Sequence, residues 1–328
     1  MTAVATATSP LPPSTALFTR VAPFLRGLLR SIGQLVTLLF VILTLLFVLV
    51  RVTGDPAVVL AGDYANAATL DAIRDKYGLD DSIVHQYVRF WANAVTLDFG
   101  DSLRNRLPAM ELVLERMPAT VLLTASGMAV NLAVAVPAGV VIAASRFAPV
   151  RRGLALSVFV AQGIPGYLAG LLLIQLLAVE LRWLPSTGNT STWSWVLPSL
   201  TIATFLAPKL IRVIAVNVGE AMGEDFVTMA RAQGAGHWRL VARHALPNAL
   251  LGATTLVGAQ VATLLNGIVI TETIFGWPGV GRLLLDSVLF LDFPVVQAVV
   301  LVTTVLVFLS NSVADKALEL IDPRLRRA

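Results

Sequence analysis

Residues 217–248 read NVGEAMGEDFVTMARAQGAGHWRLVARHALPN and form a polar stretch between two long apolar runs, here called the 217–248 loop. Its acidic residues come early and its arginines come late, an order that suits the dipole of a helix. Two apolar stripes at helical spacing flank the glycine-containing turn 234–236: Val218, Met222, Phe226 and Met229 come before it, and Trp238, Val241 and Ala245 come after it. The pattern predicts a helix, a tight turn and a second short helix, all outside the membrane.

The composition is that of an integral membrane protein. The chain has 328 residues, of which 56% are hydrophobic and 13% are charged, and its mean hydropathy is +0.79. Soluble domains carry about 25% charged and about 45–50% apolar residues. The net charge of +4 does not indicate a nucleic-acid partner, because the basic residues are spread among apolar runs. We therefore expect membrane lipid around the chain and no nucleic acid.

Residues that could carry metal or covalent chemistry are scarce. The chain has no cysteine, which excludes disulfides, thiolate metal sites and a cysteine nucleophile. Its three histidines, His85, His237 and His244, show no convincing ligand spacing. We therefore expect no metal, no cofactor and no enzyme activity in this chain.

Six charge-free windows are long enough to cross about 30 Å of hydrocarbon, which takes about 20 residues. They are 31–50, 117–145, 153–179, 183–208, 245–271 and 293–314, and the fourth span is expected to run from 195 to near 216. The first window follows Arg20, Arg26 and Arg30, as in a signal peptide, but no small-residue cleavage site comes after it. The sequence thus predicts an all-α integral membrane protein with six transmembrane helices.

These windows divide the chain into five segments. We expect a disordered tail at 1–25, a first transmembrane helix at 26–50, an external helical segment at 51–116, a five-helix transmembrane core at 117–318 that carries the 217–248 loop, and a tail at 319–328.

The distribution of basic residues predicts the orientation. One side of the predicted topology holds 15 of the 24 Lys and Arg residues and only 6 of the 20 acidic residues. That side carries both termini and the 217–248 loop, which are therefore expected to be cytoplasmic.

Polar residues inside the predicted spans are few and neutral. Four of them are candidates for lining a path across the membrane: Asn131, Gln162, Gln260 and Asn266. No charged residue lies in mid-span, although ion-coupled carriers usually need one there. Glu272 lies at the outer end of the fifth window, where we expect structural pairing.

Pro137 and Pro165 are expected to kink their helices, and Gly163, Gly166 and Gly170 to permit close helix approach.

The spacing within the 217–248 loop resembles the EAA loop of binding-protein-dependent ABC importers. That motif runs E-A-A, three residues, Gly, nine residues, Ile, one residue, Leu-Pro. Here Gly234 and Leu246-Pro247 match, the first three positions are Thr228, Met229 and Ala230, and the Ile position is His244. The glutamate of the general motif is missing.

Other motifs resemble the peptide/nickel branch of these permeases, and in particular the first of its two permeases. They are Gly54-Asp55-Pro56, Tyr77-Gly78-Leu79-Asp80, Gln86-Tyr87, Asp98-Phe99-Gly100-Asp101-Ser102, Pro118-Ala119-Thr120, Glu272-Thr273 with Phe275, Trp277-Pro278-Gly279-Val280-Gly281-Arg282, and Asp322-Pro323-Arg324. The resemblance covers about residues 25–328.

The resemblance implies a type I ABC importer permease in a bacterial inner membrane, with a cytoplasmic coupling-helix hairpin. It also implies a second permease subunit, two ATP-binding subunits and an external solute-binding protein. The residues expected to couple to the ATPase are Phe226, Met229, Ala230, Arg231, Ala232, Gly234, Trp238, Leu246 and Pro247. The solute is expected to be a peptide or a similar small molecule such as a nickel chelate, an opine or a short glycoside.

The energy source separates this hypothesis from its alternatives. The sequence has no Gly-x-x-x-x-Gly-Lys-Ser/Thr motif, so ATP must be bound by another polypeptide. A stand-alone secondary transporter or channel would instead work without ATP. A membrane enzyme would need convergent acid, base or nucleophile residues, and none cluster in the sequence.

Overall fold

The computed structural model describes residues 13–53, 57–58, 66–77 and 80–321, and the described chain is almost entirely helical. The helices are α1 Pro13–Thr53, α2 Ala67–Tyr77, α3 Ile83–Thr96, α4 Ala109–Ala144, α5 Ala148–Gly163, α6 Gly166–Leu173, α7 Val196–Gly223, α8 Asp225–Ala232, α9 His237–Leu240, α10 Leu246–Gly267, α11 Val269–Ile274, α12 Val280–Leu289 and α13 Phe293–Ile321. Wider π-helical turns follow α6 at Ile174–Glu180 and α9 at Val241–Ala245.

The chain divides into two compact units, Met1–Thr53 and Gly54–Ala328. The first unit contributes α1, whose stretch Leu29–Val52 is long and apolar enough to cross a membrane. This helix begins at Pro13, so the expectation of a disordered tail through residue 25 is wrong for 13–25. Proline is well tolerated in the first turn of a helix, where its missing N–H needs no partner. Residues 1–12, also expected to be disordered, lie outside the described residues.

Four more helices are long and apolar enough to span a membrane: Ala109–Ala144, Val196–Gly223, His237–Leu265 and Phe293–Val313. The pair Ala148–Gly163 and Gly166–Glu180 makes a sixth span if it is counted as one. It bends by 107° at Ile164–Pro165. Ile164 is extended, with ψ of 120°, as expected for the residue before a proline. The predicted kink at Pro165 is therefore a full break, whereas α4 continues through Pro137.

The core of the second unit is built where α4 lies against α7. A Cβ on Gly127 would come within 2.8 Å of Ile202, and one on Gly139 within 2.7 Å of Ile214. These two glycines therefore allow the two helices to approach closely. A buried cluster extends this contact to α10 through small residues such as Ala249 and Ala253.

The glycines singled out from the sequence behave differently from one another. A Cβ on Gly166 would lie 2.9 Å from Phe205, and one on Gly170 would lie 3.1 Å from Thr201, so both permit close helix approach as predicted. A Cβ on Gly163 would meet no atom within 4 Å, so the prediction is wrong there. Gly127 and Gly139, which do more for the core, were not predicted.

Candidate functional site

The 217–248 loop forms a helical hairpin between two membrane-spanning helices. Helix α7 ends at Gly223, Glu224 is extended with φ of −72° and ψ of 154°, and α8 follows at once. Gly234 has φ of +85°, a conformation that favours glycine. The Gly234 N–H donates to the carbonyl of Arg231 at 3.0 Å, and the Ala235 N–H donates to that of Ala230 at 3.2 Å. These two bonds close α8 with a Schellman motif and turn the chain into α9.

The hairpin has a small apolar interior of its own. Val227, Ala230 and Leu240 are buried against one another, with Met222 and Ala235 packed beside them. Ala230 is only 8% exposed, so its side chain holds the two short helices together. Among the residues expected to couple to an ATPase, Ala230 therefore acts inside the hairpin.

The outer surface of the hairpin carries large apolar side chains. Phe226, Met229 and Trp238 are 41%, 65% and 58% exposed, respectively. Arg231, Ala232 and Gly234 are also exposed. Leu246 is half-buried and Pro247 is exposed where α10 begins, so these two residues belong to the base of the hairpin. We call Phe226, Met229 and Trp238 the apolar triplet.

Neither predicted apolar stripe lies on a single face. Val218 is buried and Met222 is half-buried at the end of α7, whereas Phe226 and Met229 are exposed on α8. The extended backbone at Glu224 breaks the helical register between the two pairs. The second stripe divides as well, because Trp238 is exposed while Val241 and Ala245 are buried in the π-helical turn.

One of two hydrogen bonds attaches the hairpin to α4, and the other joins the two membrane helices at its base. Nε2 of His237 lies 2.8 Å from the carbonyl oxygen of Ala144, at the end of α4. The last carbonyls of a helix have no partner within it, so this contact satisfies one of them. Nδ2 of Asn217 donates to the carbonyl of Ala249 at 3.1 Å and joins α7 to α10. The role of His237 was not predicted, because its partner is 93 residues away in the chain.

Of the four candidate path residues, the structure brings Asn131 and Gln260 into contact, and Gln162 is bonded elsewhere. Asn131 is fully buried, and its Nδ2 donates to Oε1 of Gln260 at 3.0 Å. Gln260 in turn donates to the carbonyl of Leu206 at 3.0 Å. Gln162 is exposed and accepts a bond from Nη2 of Arg212 at 2.7 Å. The side chain of Asn266 lies outside the described ones.

Asn131 retains hydrogen-bonding capacity in the interior. Its Oδ1 is buried without a partner among the described residues. A buried amide acceptor left in this state is energetically costly, so it is available to a ligand or to a different helix arrangement. The described residues contain no group of three His, Asp or Glu side chains that could hold a metal ion.

A second ordered network lies near the opposite end of α4. Glu272 is fully buried, its Oε1 accepts from Thr120 Oγ1 at 2.7 Å, and its Oε2 accepts from the Arg282 N–H at 2.9 Å. Thr120 also accepts from the Val280 N–H at 2.8 Å. Glu272 therefore has the structural role that was expected, because its carboxylate holds the start of α12 against α4.

Burial raises the pKa of Glu272 above its ordinary value of 4.5. The hydrogen bonds from Thr120 and from the backbone N–H groups of Arg282 and Gly281 act in the opposite direction without cancelling this effect. A Cβ on Gly279 would collide with this carboxylate. Only glycine therefore fits at that point of the Trp277–Arg282 motif.

Known protein families match most of this chain. The family described as "Binding-protein-dependent transport system inner membrane component" matches residues 135–327, and its N-terminal companion matches residues 24–124. The glutathione transport system permease protein GsiC of Escherichia coli K12 is 35% identical over 306 residues, which cover 92% of this chain and 99% of that protein. GsiC of Shigella dysenteriae serotype 1 has the same identity and coverage.

Solved structures show the same fold. An inward-facing structure of the MetNI methionine ABC transporter aligns with a TM-score of 0.57 and 18% identity, over 65% of this chain and 97% of that chain. A second crystal form aligns with a TM-score of 0.55. The fold is thus that of a type I ABC importer permease, as the sequence predicted. The chain belongs to the family of binding-protein-dependent transport system inner membrane components and is a permease component of an ABC importer.

Proposed function

We propose that this chain pairs with a second permease subunit to form the path for a peptide or a similar small solute. Two separate ATP-binding subunits drive it through the 217–248 loop, and an external solute-binding protein delivers the solute. The chain lies in the bacterial inner membrane with both termini and the loop in the cytoplasm.

The exposure of the apolar triplet is the observation that carries the proposal. The hairpin buries Val227, Ala230 and Leu240 in its own interior, so it does not need Phe226, Met229 and Trp238 for its folding. Exposed large apolar side chains on a short hairpin are typical of protein contacts. The hairpin would enter a groove on a partner, and Arg231, which is exposed on α8, would pair with acidic groups there.

The attachment of the hairpin explains how a movement would reach the membrane. Helix α8 follows α7 after one extended residue, and α9 runs through the π-helical turn into α10. His237 adds a contact to the end of α4. A partner that shifts the hairpin would therefore act on α4, α7 and α10 together.

The solute class is inferred from two sources. The permease GsiC is named for glutathione, which is a tripeptide, and it is 35% identical to this chain. The neutral amides proposed for the path, Asn131, Gln162, Gln260 and Asn266, can exchange hydrogen bonds with peptide groups. Nickel chelates, opines and short glycosides would also be compatible with neutral amides, so competition among these solutes in an uptake assay tests the assignment.

The natural absence of cysteine makes the docking surface testable. In a Met229→Cys variant, a membrane-impermeant maleimide should label inside-out vesicles and not right-side-out ones. When ATPase subunits are co-expressed, a bifunctional reagent that reacts with this thiol and with lysine amines should cross-link the hairpin to them. A Val95→Cys variant, on the external segment, serves as the matched control with the opposite sidedness. Labelling of Met229→Cys from the outside would contradict the proposal.

A further inference from the structure

A polar cavity of 290 Å³ lies beside α12, far from the 217–248 loop. Its lining includes Arg104, Arg116, Arg282, Asp286 and Asp292. Arg116 is near the start of α4, whereas Ala144, which contacts the hairpin, ends that helix. At 1.5 Å per residue, the two positions are about 40 Å apart. The arginine pocket is therefore at the opposite end of α4 from the hairpin.

The two aspartates do not neutralise the three arginines. Asp292 accepts from Ser102 Oγ at 2.5 Å and from the Leu103 N–H at 3.1 Å, so both of its oxygens serve uncharged donors. Asp286 approaches Nε of Arg282 only at 3.9 Å, and both side chains are more than 40% exposed. An exposed pair of this kind contributes little. The lining keeps a formal charge of +1.

The guanidinium groups have donors to spare. Nε of Arg116 is buried and has no hydrogen-bond partner among the described residues. A buried donor left unpaired is costly, so a ligand that accepts from it gains binding energy. The guanidinium of Arg104 lies 4.0 Å from the ring centroid of Phe290. A guanidinium stacked on a ring keeps its N–H donors in its own plane, where a carboxylate can accept two of them.

We propose that the arginine pocket is a binding site for one carboxylate group. The formal charge of +1 suits a monoanion, and the two aspartates in the lining repel a dianionic phosphate. A planar carboxylate also matches the fork of a guanidinium. The cavity volume suits a single side chain or the end of a small molecule. The binding of a carboxylate in this pocket does not depend on the proposed function. The assignment of that carboxylate to the solute or to the protein that delivers it rests on the proposed function.

The test uses thiol protection in the full-length purified chain. Asn105 lines the pocket with an exposed neutral side chain, and the chain has no other thiol. In an Asn105→Cys variant, an anionic methanethiosulfonate should react faster than a cationic one. Benzoate should slow that reaction at least threefold, whereas benzamide, its neutral isostere, should not. Protection should disappear when Arg104→Gln and Arg116→Gln are added.

Three outcomes would overturn the proposal. They are equal protection by benzoate and benzamide, protection that survives both arginine substitutions, and stronger protection by dimethyl phosphate, which would indicate a lipid phosphodiester site. Circular dichroism of each variant checks that loss of protection is not loss of fold. The assay needs neither ATPase nor transport, so a negative result here leaves the proposed function untouched.

Two further protection experiments identify the source of the carboxylate. If the solute supplies it, a dipeptide should protect Asn105→Cys and the same dipeptide amidated at its C-terminus should not. If the delivering protein supplies it, the solute-free binding protein should protect, and the dipeptide should have no effect.

Discussion

At the scale of single residues, Glu272 makes stability depend on pH. Burial raises its pKa above the ordinary value of 4.5, so the folded chain binds a proton more tightly than the unfolded chain. Its contribution is therefore fully present below the ordinary pKa and is lost as pH rises through the raised pKa. We expect the thermal midpoint of the native chain, relative to that of a Glu272→Gln variant, to fall as pH rises from about 4.5.

Calorimetry of the two purified chains across that range measures the difference. The Glu272→Gln variant has no titrating group at this position, so its own profile gives the baseline. A difference that is constant with pH would show that Glu272 has the same pKa in the folded and unfolded chains.

At the scale of elements, Gly234 sets the direction of the hairpin. A Cβ there would meet no atom within 4 Å, so a substitution acts through the backbone, whose φ is +85°. Holding a non-glycine residue in the left-handed region costs about 1–2 kcal/mol. We expect Gly234→Val to reduce ATP-dependent uptake at least tenfold while membrane insertion stays normal. Gly234→Asn should be milder, because asparagine tolerates that region.

Gly236 provides the matched control for this prediction. It lies two residues further along the same turn, but its φ is −66°, and a Cβ there would also meet no atom within 4 Å. Gly236→Ala should therefore keep normal uptake. Uptake and immunoblotting of the membrane fraction separate coupling from insertion. Full uptake by Gly234→Val would count against the docking role of the hairpin.

The contact between His237 and α4 should also matter for coupling between the hairpin and the membrane helices. His237→Phe keeps a planar ring but removes the contact with the Ala144 carbonyl. We expect ATP hydrolysis by the assembled complex to continue with several-fold less uptake per ATP. His237→Gln, whose amide can donate to the same carbonyl, should restore part of that ratio. His244→Phe is the control, and an equal loss in it would point to a general effect of the substitution.

At the scale of the whole molecule, the contact between α4 and α7 carries much of the core. Gly127 and Gly139 lie 12 residues apart along α4, which is about 18 Å. Because an added Cβ would press on Ile202 or Ile214, each Ala substitution should cost about 1–3 kcal/mol. At this separation the two costs should add. Unfolding in mixed detergent micelles measures them.

A Gly153→Ala variant is the control for the α4–α7 contact. A Cβ at Gly153 would meet no atom within 4 Å. Its stability should therefore be unchanged or slightly higher, because alanine favours helix. Stability of the Gly127→Ala and Gly139→Ala chains equal to that of Gly153→Ala would contradict the close approach of α4 and α7.

The sequence by itself determined the fold class and the family. Long apolar windows must cross a membrane as helices, because backbone groups in hydrocarbon need partners within the same segment. The spacing of Gly234 and Leu246-Pro247 identified the loop, and Pro165 marked the break in the third span. These features depend on local chain chemistry and on length, which a linear sequence displays directly.

Only the tertiary structure decided which face each residue presents. Ala230 lies inside the hairpin and Met229 outside, although both were expected at the docking surface. Asn131 meets Gln260 and His237 meets Ala144 across separations of 129 and 93 residues. The arginine pocket joins residues from α4, α12 and the segment before α4 in the same way. Such contacts depend on how helices cross and where the backbone leaves the helical register, and no local pattern encodes either.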